Sequence, residues 1–185
     1  MQALVARAER LGWPAEMDEP DRAAAFERVA LPHLPAAFRL ARWLARDPHD
    51  AEDVLQEAYL RAYRYFGTFS GEDARTWLLS IVRNTFRTWS GKQPPAASDD
   101  ANDRVASREP APDEAAAGAS ERARIDAAIL ALPAEFREVI VLRELEGLSY
   151  KETASVAEIP IGTVMSRLSR AREDLRRLLS AGRDA

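Results

Sequence analysis

The 185-residue chain has no cysteine, which excludes disulfides, thiolate metal centres and cysteine nucleophiles. Histidine is nearly absent too. His33 and His49 are too few for most zinc or iron ligand sets, and no cofactor is expected. Long apolar runs are missing: the longest, 127–134, has eight residues with Pro133 inside it, far short of the roughly 20 that a membrane-crossing helix needs. The opening residues, MQALVARAERLGWP, alternate charge with apolar side chains and form no continuous signal core. The expectation is a cytoplasmic protein with no membrane insertion. Glycine (8) and proline (11) are sparse against 46% hydrophobic residues, so most of the chain is globular, as one domain or two small ones. Lysine occurs only at 92 and 151, leaving 24 of 26 bases as arginine. Arginine bias of this kind arises either from composition alone or from a need for guanidinium contacts to phosphate and guanine.

The net charge of −4 hides a segregation. Residues 1–21 carry −3, 22–92 carry +3, 93–121 carry −5 and 122–185 carry +1. The acidic stretch 93–121 holds four prolines, no aromatic residue and one large aliphatic, Val105. It buries too little apolar surface to offset the entropy of ordering. It reads as a flexible linker of 29 residues, with a reach of roughly 30 Å. The organisation predicted is an N-terminal extension (1–21), a first domain (22–92), the linker (93–121) and a second domain (122–185).

Both domains read as helical, because no segment sustains the period-two alternation of a strand. One helix is predicted over about 23–46, interrupted near Pro32 and Pro35. Asp50 is a candidate cap for the next, which carries Val54, Leu55, Ala58, Tyr59, Ala62 and Phe66 at helical spacing and ends at Gly67. Ser70 and Asp73 resemble a capping box opening a helix through Trp77, Leu78, Ile81, Val82 and Phe86. Further on, Ile125, Ile129 and Leu132 form a stripe up to Pro133, and another helix covers about 134–146 before Gly147.

The residues most specific for a mechanism lie in 148–179. Ser149 and Glu152 form a capping box for a short helix to about 157, residues 158–160 make a tight turn, and Pro160 suits the start of the next helix. Two helices so joined make a helix-turn-helix, whose second helix enters the major groove of DNA. At about 100° per residue, Leu168, Ala171, Leu175 and Leu178 fall within about 40° of Val164, forming a buried seam. Thr163, Ser166 and Arg170 fall on the opposite side, where base-reading residues belong. Arg167 borders the seam and suits a phosphate. Nothing points to an enzyme: Gly91-Lys92 lacks the upstream glycine of a phosphate loop, and no G-x-S-x-G is present.

The segment LPAEFREVIVLRELEGLSYKETASVAEIPIGTVMSRLSRARE resembles the C-terminal domain of the bacterial extracytoplasmic-function (ECF) sigma factors of the sigma-70 superfamily. DAEDVLQEAYLRAYRYF, 50–66, is similar to that family's helix contacting core RNA polymerase, and RTWLLSIVRNTFRTW, 75–89, to its promoter-melting helix. The resemblance implies an all-α fold of two small helical domains and an alternative sigma factor that binds core polymerase, recognises and melts promoter DNA, and initiates transcription. It assigns Asp50, Glu52, Asp53, Gln56 and Glu57 to polymerase. The same carboxylates also complement a helix N-terminus, so their placement alone leaves capping and docking both open. For the minus-ten element it implies the 67–74 loop as a pocket for a flipped base. Phe69, Ser70, Arg83, Asn84, Arg87 and Trp89 are the candidate contacts, while Trp77 reads as core. For the minus-thirty-five element it implies Thr163, Met165, Ser166, Arg167, Arg170 and Arg172. Met165 departs from the family, where a base is frequent; methionine makes no bidentate guanine contact but touches a thymine methyl. The resemblance also implies an anti-sigma factor that holds both domains. Two other readings are a sigma-mimicking adaptor that sequesters an anti-sigma factor and a helix-turn-helix regulator. Retained Asn84, Arg87, Ser166 and Arg170 argue against the first, and the 50–66 helix with its neighbour against the second.

Overall fold

A computed structural model describes residues 19–69, 73–91 and 114–181 of the chain. Ser70, the first 18 residues and most of the segment read as a linker lie outside the described residues. Among the described residues every regular element is a helix.

Helix α1 spans Glu19–Ala30 and a 3-10 turn, Leu31–His33, links it to α2, Leu34–Ala45. The interruption falls where Pro32 and Pro35 remove backbone donors. Helix α3 runs over Pro48–Arg64 and is capped by Asp47, whose carboxylate accepts the amides of His49 (2.8 Å) and Asp50 (3.2 Å). The sequence pointed to Asp50 as the cap. Pro48 decides otherwise, because its fixed φ suits the first helical position and places Asp50 inside the first turn. The helix also stops at Arg64 rather than Gly67, which sits in a 3-10 turn, Phe66–Thr68. Helix α4, Ala74–Ser90, is capped by Asp73, which accepts Thr76 N–H at 3.1 Å. Asp73 is thus the cap itself, not the third helical residue of a box begun by Ser70.

Helices α2, α3 and α4 pack on one another around Leu40, Val54, Ala58, Phe66, Leu78, Leu79 and Val82, all fully buried. Phe26 brings α1 onto this core through edge-to-face contacts with Tyr59, Tyr63 and Phe66. Arg22 stacks on Tyr63 and donates to the carbonyls of Tyr63 (2.8 Å) and Arg64 (3.2 Å) at the C-terminal end of α3.

In the C-terminal half, α5 covers Glu114–Ala131. It therefore begins inside the stretch read as linker. The sequence there, EAAAGASE, has few large apolar groups but high helix propensity, which a burial argument overlooks. Ile129 and Leu132 are buried as the stripe predicted, whereas Ile125 is exposed. Helix α6, Ala134–Ile140, continues as one π-helical stretch, Val141–Leu145, and ends at Gly147 with φ 68°. Arg137 in α6 donates to the carbonyls of Leu130 and Leu132, closing the α5–α6 corner; burial pushes its guanidinium down to about 10. Helices α7, Tyr150–Ala157, and α8, Ile161–Ala181, complete the fold. Val164, Leu168 and Ala171 are buried against Leu132, Val139 and Ile140. The seam ends there: Leu175 is half-buried and Leu178 is exposed beside Ala131, Leu132 and Pro133.

The two halves are packed together. Helix α4 lies on α7 and α2 on α6, and Val141, Leu142, Leu148, Val156 and Ala157 join the apolar cluster of α2–α4.

Candidate nucleic-acid interface

The α7–turn–α8 unit is built by its own capping chemistry. Ser149 Oγ accepts Glu152 N–H at 3.2 Å, and Ser149 N–H donates to the Glu152 carboxylate at 2.6 Å. These bonds with Ser149 hold the Glu152 carboxyl below its ordinary range. The turn forms because Glu158 adopts the left-handed conformation (φ 53°, ψ 43°). Ile159 N–H then bonds Ala154 O at 3.1 Å, and Pro160 O accepts the amides of Thr163 and Val164. Ala154 of α7 and Ile159 of the turn pack against the cluster of Val164, Leu168 and Ala171, which fixes the two helices relative to each other.

On α8, Ser166 and Arg170 are exposed and Thr163 is half-buried. Ser166 Oγ donates to Thr163 O at 3.0 Å. Among the described residues none pairs with Arg170, so its fork of donors is available. Met165 is 56% exposed, and Ile161, one turn before it, 45%. Sequence reasoning passed over Ile161 because an apolar residue at a helix start reads as core; its exposure reveals it. Arg167 lies on the flank, 4.0 Å from Glu135. Arg172 is engaged by Glu144 at 2.5 Å, and that bond, with a further one to Tyr150, raises its guanidinium above the ordinary value.

The α4 candidates are differently placed. Arg83 is buried; its Nε donates to Glu138 at 2.7 Å, and its terminal nitrogens reach Ala157 O (2.7 Å), Glu158 (3.1 Å) and the Asn84 side-chain oxygen (3.1 Å). Asn84 donates to Glu158 at 2.8 Å, and Arg87 donates to the same carboxylate at 3.2 Å. The Asn84 bond, aided by the charges of Arg83 and Arg87, lowers the Glu158 carboxyl below its ordinary range. Phe69, half-buried, stacks on Phe66 and leans on Trp77. Trp89, also half-buried, stacks on Phe86.

The Sigma-70 region 2 family matches residues 30–93 and the Sigma-70, region 4 family residues 122–175. Over 183 residues the chain is 33% identical to the ECF RNA polymerase sigma factor SigE of Mycolicibacterium smegmatis, covering 91% of this chain and 71% of that protein. The chain belongs to the ECF RNA polymerase sigma factors. The RNA polymerase sigma-H factor of Pseudomonas aeruginosa is 35% identical over 166 residues, covering 84% of this chain and 86% of that one. Among solved structures, the sigma factor RpoE of Bartonella quintana, in complex with the anti-sigma factor NepR, superposes with a TM-score of 0.64 at 27% identity. That likeness covers 84% of this chain and 97% of RpoE.

Within this sigma factor, region 2 comprises α2–α4 and region 4 the helices from late α5 into α8. Glu52, Asp53 and Gln56 project from α3 into solvent, Asp50 and Glu57 are half-buried, and Glu57 pairs with Arg61 at 2.7 Å. Burial, reinforced by Asp47 and Asp53, raises the Asp50 carboxyl. Leu60, 50% exposed, sits one turn beyond Gln56 and Glu57, an apolar residue among the acids. Sequence reasoning passed over it, since apolar residues in an amphipathic helix are assigned to the core by default. Nor did it single out Glu138 and Glu146, which meet arginines distant in the chain. Among the described residues no helix is long and apolar enough to cross a membrane.

Proposed function

We propose that the three surfaces divide the work of promoter-directed initiation in this sigma factor. Helix α3 docks on core RNA polymerase through Asp50, Glu52, Asp53, Gln56 and Glu57, with Leu60 as an apolar anchor. Helix α4 and the loop before it hold the minus-ten strand. Arg83, Asn84 and Arg87 supply polar contacts there, and Phe69 and Trp89 offer flat surfaces for unstacked bases. Helix α8 reads the minus-thirty-five element in the major groove. The observation that carries this reading is the exposed α8 face, where Ser166 and unpaired Arg170 stand opposite the buried Val164–Leu168–Ala171 seam. An anti-sigma factor, as in the RpoE complex, is the expected regulator. In vitro transcription with purified core polymerase and a promoter library tests the whole: initiation from a defined motif supports it, and its absence sinks it.

Substitutions on α8 separate base contacts from phosphate contacts. Arg170→Ala is expected to cost about 1–3 kcal/mol on the preferred duplex and to relax preference at one base pair. Arg167→Ala is expected to weaken all sequences alike and to lower the salt slope by about one unit. Met165→Arg shifts preference toward guanine at a neighbouring position by adding a fork donor. Binding to single-base variants across a salt series checks all three. Uniform weakening by Arg170→Ala, with altered preference in Arg167→Ala, means the helix sits on DNA in another rotation.

A further inference from the structure

The first turn of α8 carries exposed apolar side chains that the core does not use. Ile161 and Met165, four residues apart and so neighbours on the helix surface, are both exposed. Among the described residues neither joins an apolar cluster. Gly162 follows Ile161 and stands one turn before Ser166. Its backbone is ordinary right-handed helix, and an added Cβ would meet no atom within 4 Å. Neither conformation nor packing calls for glycine there, and glycine is a poor helix former. A glycine so placed suits the close approach of a molecule from outside the chain. Two turns beyond Met165 on the same flank, Arg172 is tied to Glu144 and Tyr150. Its fork of donors is therefore not free beside Met165.

Base-pair edges in the major groove present hydrogen-bond donors and acceptors and a single kind of apolar group, the methyl of thymine. The isoleucine side chain makes no hydrogen bond, and the methionine thioether accepts only weakly. We propose that Ile161 and Met165, beside the bare backbone of Gly162, form an apolar reader of thymine methyl groups in the minus-thirty-five element. The proposal rests on the assignment of α8 to the major groove and names the base that this part of the helix selects. The missing Cβ lets a base edge come close enough for methyl and side chain to exclude water together. The two side chains are offset by about 6 Å along the helix. Bases on a strand are about 3.4 Å apart, so the pair reaches neighbouring base pairs. Ser166 and Arg170, on the other side of the same exposed face, keep the polar readout. The helix thus selects by two physical means. The apolar one is insensitive to salt, because burying a methyl releases no counterions.

The test uses the full chain and the duplex that it binds best from a randomised library. Each thymine is replaced in turn by uracil, which keeps every hydrogen-bonding group and lacks only the methyl. At one or two positions uracil is expected to weaken binding about three- to four-fold, as for one buried methyl. The factor should be the same at low and high salt. Ile161→Ala and Met165→Ala are each expected to abolish the uracil effect at one position and to leave other base preferences unchanged. Gly162→Ala, which favours the helix, should lose duplex affinity with no fall in melting temperature, so that unfolding is not the cause. Equal affinity for thymine and uracil duplexes at every position overturns the proposal; base preference then remains, and only the methyl reading fails. A uracil effect that survives in the double variant Ile161→Ala, Met165→Ala also overturns it, since other side chains then read the methyl. Undiminished binding by Gly162→Ala removes the close approach on which the proposal depends. Variants that weaken capture of core RNA polymerase yet keep the uracil effect make the patch a protein contact, which overturns it too. If the parent binds all duplexes alike, the assignment of α8 to DNA has failed, and the proposal falls with it.

Discussion

Reversing Asp53 and Glu57 to lysine is expected to abolish capture of core RNA polymerase while leaving the helical content of the protein unchanged. Both side chains lie on the outer side of α3 within one turn of Gln56, and Glu57 also within one turn of exposed Leu60, while Val54, Ala58 and Ala62 fill the core behind them. Lysine is a good helix former, so backbone cost is small. Losing the Glu57–Arg61 pair forfeits about 0.3–0.5 kcal/mol, as for similar pairs on helix surfaces. At the interface the effect is far larger. Like charges brought together there cost several kcal/mol, and every 1.4 kcal/mol is about tenfold in affinity. A weakening of at least about 100-fold follows from two reversals, enough to remove the complex from a co-purification assay. Undiminished capture of polymerase by the doubly reversed protein would refute the role given to α3.

Leu168→Ala is expected to be the most damaging single truncation in the recognition unit. Leu168 is 1% exposed and packs with Leu132, Val139, Ile140, Val164 and Ala171, thereby holding α8 against α6. Truncating a leucine in such a setting costs about 2–5 kcal/mol, depending on how far the surroundings collapse. The C-terminal half is small, and small cores hold little stability in reserve. The variant should lose duplex binding on every sequence, together with amide protection along 150–181, while polymerase capture through α3 persists. Hydrogen exchange and thermal unfolding of the full chain check this. A destabilisation below about 1 kcal/mol would show that the seam is not what positions α8.

The elements most legible in the sequence were those specified by local chemistry. The Ser149–Glu152 box, the turn at 158–160 and the Val164–Leu168–Ala171 seam follow from capping and helical spacing within a few residues, and the structure reproduces them. Where local rules competed, the reading slipped. Asp50 and Asp47 are both capping types, and Pro48 decides between them. Ile125 and Leu178 fit their stripes by spacing yet lie exposed, because a periodic stripe extends beyond the partner that buries it. The start of α5 at Glu114 escaped notice because alanine-rich sequence makes helix without making core.

Family membership, the all-helical class and the buried face of α8 were legible in the sequence, since each depends on short-range order in residue type. The tertiary structure alone decided what happens to the charges. Arg83 reads as a surface base in an amphipathic helix, yet it is enclosed by Glu138, Ala157 and Glu158, more than fifty residues away in the chain. Glu146 reads as one more solvated acid, yet its side chain is wholly buried between Arg39 and Arg75. Spacing along a helix tells which face a side chain occupies. Which face of another helix comes to meet it depends on how the apolar surfaces of the whole chain close together, and no local pattern carries that information.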